Sequence, residues 1–308
     1  MKYNDILVGC TGFVGSNIKL SHQFDMLCNS KNVDSAFGAK PNLLVYSGVP
    51  AEMFLANKNP AADLAIIENA AENIRRIAPK RLVLISTIAV IDNPIGAGEQ
   101  SVIHVENLTA YGRHRYMLEA MVTEIVPDFH ILRLPALFGE NMKKNFIYDL
   151  IHFFPAMLCN EKYERFSIDE PIITECYALQ DNGFYKLAFS EDNKGELRKA
   201  FDRLGFSALN FTDSRCVYQF YNLSYLWEHI QFVVKNDIPL LHLAVQPLSA
   251  AEICKEICGT EFRNEIMEKP FCYDFRTQYA EQLGGNDGYI YCRDQVLSDL
   301  RAFIGEAE

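Results

Sequence analysis

A tyrosine and an arginine four residues apart, Tyr111 and Arg115, form the pair in this 308-residue sequence that is best suited to acid–base chemistry. Residues at positions i and i+4 lie on one face of an α-helix, so the two side chains can meet. A free phenol has a pKa of about 10, and a tyrosine needs a neighbouring cation that favours phenolate to transfer protons at neutral pH. Arginine supplies that charge but, unlike lysine, cannot release a proton. The alternative is an ordinary surface pair.

Three glycines near the start of the chain, Gly9, Gly12 and Gly15, have the spacing of a loop that binds dinucleotide phosphates. They follow an apolar run at 6–8 and precede a segment at 16–18 that can open a helix. In such a loop the first glycine permits a tight turn, the second lets a pyrophosphate approach the backbone, and the third lets the helix pack closely on the strand. The alternative is a strand-to-helix turn that only tolerates glycines.

The segment from Thr11 to Gly15, Thr-Gly-Phe-Val-Gly, resembles the glycine loop of the extended short-chain dehydrogenases/reductases, also called the NAD-dependent epimerase/dehydratase family. The segment from Tyr111 to Glu119 is similar to the family's Tyr-x-x-x-Lys segment, with Arg115 in place of the lysine. The resemblance therefore joins the two patterns and implies an NAD(P)-binding protein with a Rossmann-type fold.

Two further segments are similar to the family and depart from it in part. Ser86 and Thr87 end a predicted strand as a Ser-Thr pair does in the family, but Ile91 and Asp92 replace the family's Tyr-Gly. The run from Arg133 to Gly139 looks like the family's Arg-x-x-Asn-x-Tyr-Gly, with Ala136 in place of the asparagine that often touches the sugar nucleotide.

The resemblance implies hydride chemistry on a nucleotide-linked sugar, by reduction, epimerisation or dehydration. In this interpretation Tyr111 is the acid/base, Thr87 bonds the reacting oxygen, and Arg115 holds the ribose and tunes the phenol. The alternative is an NAD(P)-binding sensor or scaffold protein of the same fold without turnover. The replacements at positions 91, 92, 115 and 136 favour that alternative slightly.

Cofactor preference depends on the residues about 20 positions after the first glycine. An NAD site usually carries a carboxylate there, whereas a cation or hydroxyl accommodates the 2′-phosphate of NADP. Asn29, Ser30 and Lys31 occupy that place, which favours NADP over NAD, although Asp34 could reach the adenine and Lys31 could be a solvated turn residue. The cofactor contacts that the resemblance implies are Gly9, Thr11, Gly12, Phe13, Val14, Gly15, Asn29, Ser30, Lys31, Ser47, Gly48, Val49, Asn69, Ser86, Tyr111, Arg115 and Pro135.

The resemblance implies an α/β fold, a doubly wound parallel sheet with a smaller substrate lobe, and the periodicity of the apolar residues predicts the individual helices and strands. Residues 1–142, with return elements at about 213–245, are assigned to the NAD(P)-binding domain, and 143–212 and 246–308 to the substrate lobe and C-terminal elements. Within the first part of that lobe, 163–173 is expected to be irregular, and Asp181-Asn182-Gly183 is expected to turn between two short strands. Predicted strands lie at 24–27, 42–47, 81–86, 130–134 and 240–245, and the main predicted helices at 16–21, 60–78, 107–126, 196–204, 225–234, 250–258 and 294–304.

Net charge, hydropathy and cysteine content argue against several classes of protein. A net charge of −11 without a lysine or arginine run argues against nucleic acid as a partner. No apolar stretch is long enough to span a bilayer, so a soluble cytoplasmic protein is expected. Nine cysteines without regular spacing indicate reduced thiols rather than a disulfide framework. No metal site is predicted, because Cys254 and Cys258 share a helix face but lack a third ligand nearby.

The predicted partners are a small-molecule substrate and a second copy of the chain. Family members commonly pack two helices into a four-helix dimer interface, and the corresponding helices here are 61–78 and 107–126. The second helix carries an apolar stripe of Leu118, Met121, Val122 and Ile125. The alternative is a stripe that packs only on its own sheet.

Overall fold

The structure is a computed structural model that describes residues 3–188 and 190–307, without the side chains of Glu191, Glu306 and Ala307. Met1, Lys2, Phe189 and Glu308 fall within the predicted domain ranges but lie outside the described residues. The chain divides into two compact units. Unit 1 consists of Met1–Met142, Val217–Leu248 and Cys272–Leu300, and unit 2 of Lys143–Cys216, Ser249–Phe271 and Arg301–Glu308.

The described chain contains short strands and eleven α-helices. The strands are β1 (Asp5–Val8), β2 (Met26–Cys28), β3 (Leu43–Tyr46), β4 (Arg81–Thr87), β5 (Asp128–Leu134), β6 (Ala136–Phe138), β7 (Met157–Leu158), β8 (Tyr177–Leu179), β9 (Tyr185–Leu187), β10 (Val217–Tyr218), β11 (Phe220–Asn222), β12 (Leu240–His242) and β13 (Leu248–Ser249). The helices are α1 (Phe13–Ser21), α2 (Met53–Lys58), α3 (Pro60–Ile77), α4 (Ala110–Ile125), α5 (Phe146–Ile151), α6 (Asn160–Asp169), α7 (Ile172–Cys176), α8 (Glu191–Arg203), α9 (Leu226–Asn236), α10 (Ala250–Cys258) and α11 (Arg293–Ala307).

Unit 1 is built on a six-stranded parallel sheet with the order β2-β1-β3-β4-β5-β12. The strands are short apolar runs that are buried along most of their length, as a sheet covered by helices requires. The order changes direction between β1 and β3. Ligands of such sheets bind outside the carboxyl ends of the strands at that switch point. The predicted fold class, an α/β doubly wound parallel sheet, is confirmed.

The apolar stripe of α4 packs inside unit 1. Leu118 and Val122 are buried in the same cluster as the sheet residues Leu44 and Leu82, and Met121 and Ile125 pack against that cluster. Helix α3 adds its own face to the same core. The stripe is therefore accounted for by the chain's own sheet, and homodimerisation through these helices stays a prediction.

Residues 272–300 belong to unit 1, whereas the sequence placed them with the substrate lobe. Backbone and side-chain hydrogen bonds explain the difference. Tyr273 N donates to Val217 O at 3.1 Å, Phe275 N to the Gln219 side chain at 2.9 Å, and Ile290 N to Ala244 O at 2.8 Å. Because these partners are far apart in sequence, no local pattern could have indicated the attachment. The assignment of the two parts of the chain to an NAD(P)-binding domain and a substrate lobe stays a prediction.

Unit 2 has an aromatic core and more helix than the sequence indicated. Phe154, Phe166, Tyr177 and Phe201 are buried together. The prediction that 163–173 is irregular was wrong, because α6 and α7 cover most of it. Helix α6 is polar apart from a few positions and buries only Phe166, so it lacks the repeating apolar stripe that predicts a helix. The predicted turn is confirmed: Gly183 has φ 82° between the antiparallel strands β8 and β9.

Two expectations from composition can be compared with the structure. All nine cysteines lie within the described residues, and each is a free thiol. Over residues 3–188 and 190–307, none of the helices combines the length and the apolar character needed to cross a membrane.

Candidate active site

The glycine loop has the geometry that its spacing predicts. Gly9 has φ 94°, and its carbonyl accepts from Gly12 N at 3.0 Å, which closes the turn after β1. A Cβ at Gly15 would lie 2.1 Å from Gly9 O, so only glycine lets α1 approach the loop. Gly12 is the N-cap of α1, and Thr11 and Gly12 are exposed. Backbone N–H groups at the start of α1 are thus open to an anion at the carboxyl end of β1.

The next residues of α1 are partly exposed, and Asn17 anchors the helix. Phe13 and Val14 are half-buried. Asn17 is buried and anchors α1 to a later loop, because its side-chain amide donates to Glu140 O at 2.8 Å and its Oδ1 accepts from Glu140 N at 3.1 Å. Asn17 was not predicted as a site residue.

The segment after β2 is open to solvent. Ser30 and Lys31 are exposed, and Asn29 is held in place because its Oδ1 accepts from Lys31 N at 2.8 Å. Asp34 is exposed in a short 3₁₀ helix that follows. The hydroxyl and the ammonium predicted to meet a 2′-phosphate are therefore accessible.

The other predicted cofactor contacts lie at several places in unit 1. Ser47, which follows β3, donates its hydroxyl to Val8 O at 3.0 Å, and Gly48 and Val49 come next in the chain. Pro135 is half-buried between β5 and β6. Asn69 is exposed on α3.

Thr87 and Tyr111 are brought together at the carboxyl end of β4. Thr87 is the last residue of the strand, and its Oγ1 accepts from Ala89 N at 3.1 Å. The Thr87 side chain is close enough to the Tyr111 hydroxyl to lower the pKa of the phenol by hydrogen bonding. Gly112 makes this approach possible, because a Cβ there would lie 2.1 Å from Ala89 O. The predicted catalytic hydroxyl and phenol therefore lie beside each other.

Arg115 is buried and paired, so the surface-pair alternative was wrong. Its Nη1 donates to Asp63 Oδ2 at 2.6 Å and its Nη2 to Pro50 O at 2.8 Å. Its Cζ lies 3.8 Å from the centre of the Tyr111 ring. The same Asp63 oxygen accepts from His114 Nδ1 at 2.7 Å. All four of these charged or aromatic side chains are buried.

Asp63 was missed as a partner of the site, although the sequence carries a signal for it. It shares the helical face of Ile67, Ala71 and Ile74, which are buried in the core. A carboxylate in phase with an apolar stripe is rarely buried without a partner cation. That phase alone could have pointed to a buried arginine.

The electrostatics of Tyr111 differ from the expectation. Burial raises the pKa of the phenol and outweighs the Arg115 charge and the Thr87 hydrogen bond, which both lower it. The phenol is therefore protonated at neutral pH, and in this environment it can donate a proton but does not spontaneously hold a negative charge.

Ser86 lies in a separate buried network beneath the site. Its hydroxyl donates to Glu119 Oε1 at 2.5 Å. The same carboxylate accepts hydrogen bonds from Nε and Nη2 of Arg133, at 3.0 and 2.6 Å. Arg133 Nη1 also donates to His242 Nε2 at 3.2 Å. The hydroxyl of Ser86 is thus used within the chain, and its predicted cofactor contact stays a prediction.

A cavity of about 410 Å³ lies in unit 1 against the loop that follows β4. Glu99 lines this cavity, and hydrogen bonds hold its carboxylate in place. It accepts from the Thr277 hydroxyl at 2.6 Å and from Gln278 N at 3.0 Å. Arg276 also lines it, with its guanidinium over the Tyr289 ring. Sequence reasoning did not connect Glu99 with 276–278, because 177 residues separate Glu99 from Arg276 in the chain.

No protein-family model matches the chain, and no curated protein is significantly similar to it in sequence. Solved structures are similar to it over nearly their whole length. The dTDP-4-dehydrorhamnose reductase of Bacillus anthracis, in complex with NADP, is 15% identical with a TM-score of 0.64, covering 99% of both chains. The chain has the Rossmann-type fold of these enzymes.

Two further structures extend the likeness. UDP-glucose 4-epimerase of Thermotoga maritima, with UDP-glucose, is 11% identical with a TM-score of 0.61 and covers 98% of this chain and 97% of its own. The Bordetella bronchiseptica enzyme WbmG, in complex with NAD and UDP, is 12% identical with a TM-score of 0.61 and covers 99% and 95%. At such identities the likeness concerns the fold, which agrees with the family resemblance read from the sequence.

Proposed function

We propose that the chain is an NAD(P)-dependent oxidoreductase that acts on a nucleotide-linked sugar, with Tyr111 as its acid/base. The observation that carries the proposal is the close packing of α4 on the carboxyl end of β4, where Gly112 lies against Ala89 O and Tyr111 lies beside Thr87. The glycine loop opens at the same edge, at the end of β1. A proton donor and a dinucleotide loop on one edge of a parallel sheet are the two parts that hydride transfer to a carbonyl requires.

The protonation state of Tyr111 favours the direction of reduction. A nicotinamide held by the glycine loop would supply the hydride that the carbonyl carbon of a keto sugar accepts. Tyr111 gives its proton to the carbonyl oxygen, which becomes a hydroxyl, and Thr87 orients that oxygen and the phenol. A phenol whose pKa is raised by burial holds this proton until the oxygen becomes basic. Epimerisation through a transient keto sugar would run this transfer first in reverse, with deprotonated Tyr111 taking the proton of a sugar hydroxyl, and then forwards.

NADP is the proposed cofactor. The open N-terminus of α1 fits a pyrophosphate, and the exposed Ser30 and Lys31 fit a 2′-phosphate. One similar structure was solved with NADP and another with NAD, so structures with either cofactor share the fold. The nucleotide-sugar substrate rests on the complexes with UDP-glucose and UDP among these structures.

Arg115 acts in this proposal as a positioning residue. Its hydrogen bonds to Asp63 and Pro50 O hold the guanidinium against the face of the Tyr111 ring. The charge there opposes the effect of burial on the pKa of the phenol. The ribose contact that the resemblance implies for Arg115 stays a prediction.

A sensor or scaffold protein without turnover is the second candidate. The observation that favours it is the engagement of Arg115 by Asp63, since the cation that the family uses beside its tyrosine is here buried in an ion pair. In this reading the cofactor site is retained and Tyr111 is part of the core.

The test is turnover of the Tyr111→Phe variant, measured as NADPH oxidation against a panel of keto-sugar nucleotides. Removing the proton donor should lower kcat by roughly 10²–10⁴-fold, the usual contribution of general acid catalysis. Calorimetric titration with NADPH and NADH should give nearly unchanged affinities, with NADPH the tighter ligand.

Tyr116→Phe on the same helix is the matched control, because it removes a phenol from a different face of α4 and should leave kcat unchanged. A Tyr111→Phe variant as active as the parent would refute the catalytic role. Cofactor binding without turnover of any keto sugar would favour the sensor.

A further inference from the structure

Three side chains that the proposed reaction does not use lie close together at the amino ends of the parallel strands. The proposed active site lies at the carboxyl ends. Asp128 is the first residue of β5, His130 lies two residues further along the strand, and Asp237 is the C-cap of α9, just before β12. One ligand atom from each lies within 4.8 Å of the others. Arg81 pairs with Asp128 in register and Thr87 with Leu134, so the cluster is about 20 Å from the proposed active site, at 3.3 Å per residue.

His130 has a free ring nitrogen that points into this cluster. The side chain is fully buried, and its Nδ1 lies 2.8 Å from Ile238 O. Because a carbonyl only accepts, Nδ1 carries the hydrogen and Nε2 of the neutral ring is left with a lone pair. Among the residues that the structure describes, Nε2 is the one buried side-chain nitrogen or oxygen without a hydrogen-bond partner.

That arrangement is typical of a metal-binding histidine. Native proteins rarely leave a buried polar atom without a partner. Histidines that ligate a metal usually donate their other ring N–H to a carbonyl or carboxylate, which fixes the tautomer and the direction of the ring. We propose that Asp128, His130 and Asp237 bind one divalent transition-metal ion such as Zn²⁺.

The distances fit such an ion. His130 Nε2 is 3.5 Å from Asp128 Oδ1. Two ligands that are each about 2.1 Å from a tetrahedral zinc ion lie about 3.4 Å apart. Asp237 is exposed, so its carboxylate can swing towards the pair. Solvent completes four-coordination, and a set with an imidazole favours a transition metal over Mg²⁺ or Ca²⁺.

Arg81 is the charged neighbour that any ion must tolerate. Its Nε lies 2.9 and 2.8 Å from the two oxygens of Asp128, and its Nη2 is 2.8 Å from Oδ2. Two carboxylates, one guanidinium and a neutral imidazole give a net charge of −1, which a divalent ion converts to +1. Arg81 can keep Oδ2 while Oδ1 turns to the metal, as supporting groups commonly do for ligating carboxylates. The bound ion joins the start of β5 to the start of the edge strand β12.

The test uses the full chain, stripped with a chelator and titrated with Zn²⁺ in a calorimeter. One equivalent should bind, and the thermal unfolding midpoint should rise with Zn²⁺ concentration. Co²⁺ should bind without a thiolate charge-transfer band, which separates this site from the nine free cysteines. Asp237→Asn should weaken Zn²⁺ binding at least about 10-fold, since even supporting groups of metal sites contribute that much.

The Asp237→Asn variant is expected to fold, because the residue is exposed and asparagine tolerates the left-handed conformation with φ 54° found there. Asp181→Asn, in the exposed turn of unit 2, is the matched control and should bind Zn²⁺ like the parent. No binding by the parent, unchanged affinity in Asp237→Asn, a thiolate band with Co²⁺, or tighter binding of Mg²⁺ than of Zn²⁺ would each overturn the proposal.

Discussion

Helix α4 carries two buried charges four residues apart, Arg115 and Glu119, and they have different partners. Arg115 pairs with Asp63 of α3 through one oxygen at 2.6 Å. Glu119 pairs with Arg133 of β5 through both oxygens, at 3.0 and 2.6 Å. Residues four apart on a helix often pair with each other, but here each has a partner on another element. Only the first pair contacts the ring of Tyr111.

The two ion pairs of α4 therefore have different roles, one in holding the helix on the sheet and one beside the phenol of Tyr111. The Glu119 pair, with Ser86 and His242 attached, fixes α4 to the sheet. The Asp63 pair fixes α4 to α3 and sets the charge beside the phenol. Buried ion pairs add little net stability relative to apolar residues, yet removing one partner is costly. Changes in the Glu119 network should therefore affect stability, and changes in the Asp63 pair should also affect the site.

The largest expected effect is on stability, from Glu119→Gln. The variant leaves the Arg133 guanidinium buried without its carboxylate, and such a loss typically costs about 3–5 kcal/mol. Chemical denaturation of parent and variant measures it. Glu124→Gln, an exposed position on the same helix, is the matched control and should change the free energy of unfolding by less than about 0.5 kcal/mol. A loss below about 1 kcal/mol for Glu119→Gln would mean that the pair does not hold the helix.

The next effect is acid sensitivity of the same network. Burial lowers the pKa of His242 to about 4, and the ring stays neutral to accept from Arg133 Nη1. In the unfolded chain a histidine titrates at about 6.5. Between these values the unfolded state binds more protons, so stability is complete above pH about 6.5 and falls as the pH drops towards 4. The loss from this group is up to about 3 kcal/mol at about 1.4 kcal/mol per pKa unit.

Unfolding free energies at pH 7.5 and pH 5 measure this dependence. His242 Nδ1 also donates to Arg276 O at 3.0 Å. His242→Gln keeps an acceptor for Arg133 and a donor for Arg276 O but does not titrate, so its stability should change less between the two pH values. Burial also lowers the pKa of His229 to about 4. His229→Gln should remove the separate contribution of that histidine to the pH dependence of stability. An equal pH dependence in the parent and in His242→Gln would contradict the assignment.

The sequence predicted the parts of unit 1 whose signals are local. The glycine spacing, the apolar runs of the strands and the i, i+4 pairing of Tyr111 and Arg115 each depend on neighbours in the chain, and the structure contains all three. Gly15 is the sharpest case, because the clash of a Cβ with Gly9 O follows from the turn itself.

The parts that escaped prediction depend on distant residues. Asp63 lies 52 positions before Arg115, and the attachment of 272–300 to unit 1 uses partners more than 40 residues away. The net pKa of Tyr111 also escaped, since the sequence indicated the nearby cation but not the depth of burial that outweighs it. Desolvation is a property of the whole packed fold, so no spacing rule gives it.

The smallest expected effect, and the one that best separates the two pairs, is that of Arg115→Lys. A lysine keeps the positive charge beside Asp63 and Tyr111 but has one nitrogen, so it cannot bond Asp63 and Pro50 O with the fork of Arg115. Losing one hydrogen bond should cost about 1 kcal/mol of stability. Because the charge is kept, the pKa of the phenol and kcat should change little, with kcat within about threefold of the parent.

Arg115→Met is the contrast, since it leaves Asp63 unpaired, raises the pKa of the phenol further and costs about 3–5 kcal/mol. Denaturation and the pH profile of NADPH oxidation together decide the point. A hundredfold loss of kcat in Arg115→Lys at nearly parental stability would show that the guanidinium touches substrate or cofactor directly, and Arg115 would then be a catalytic residue instead of a positioning one.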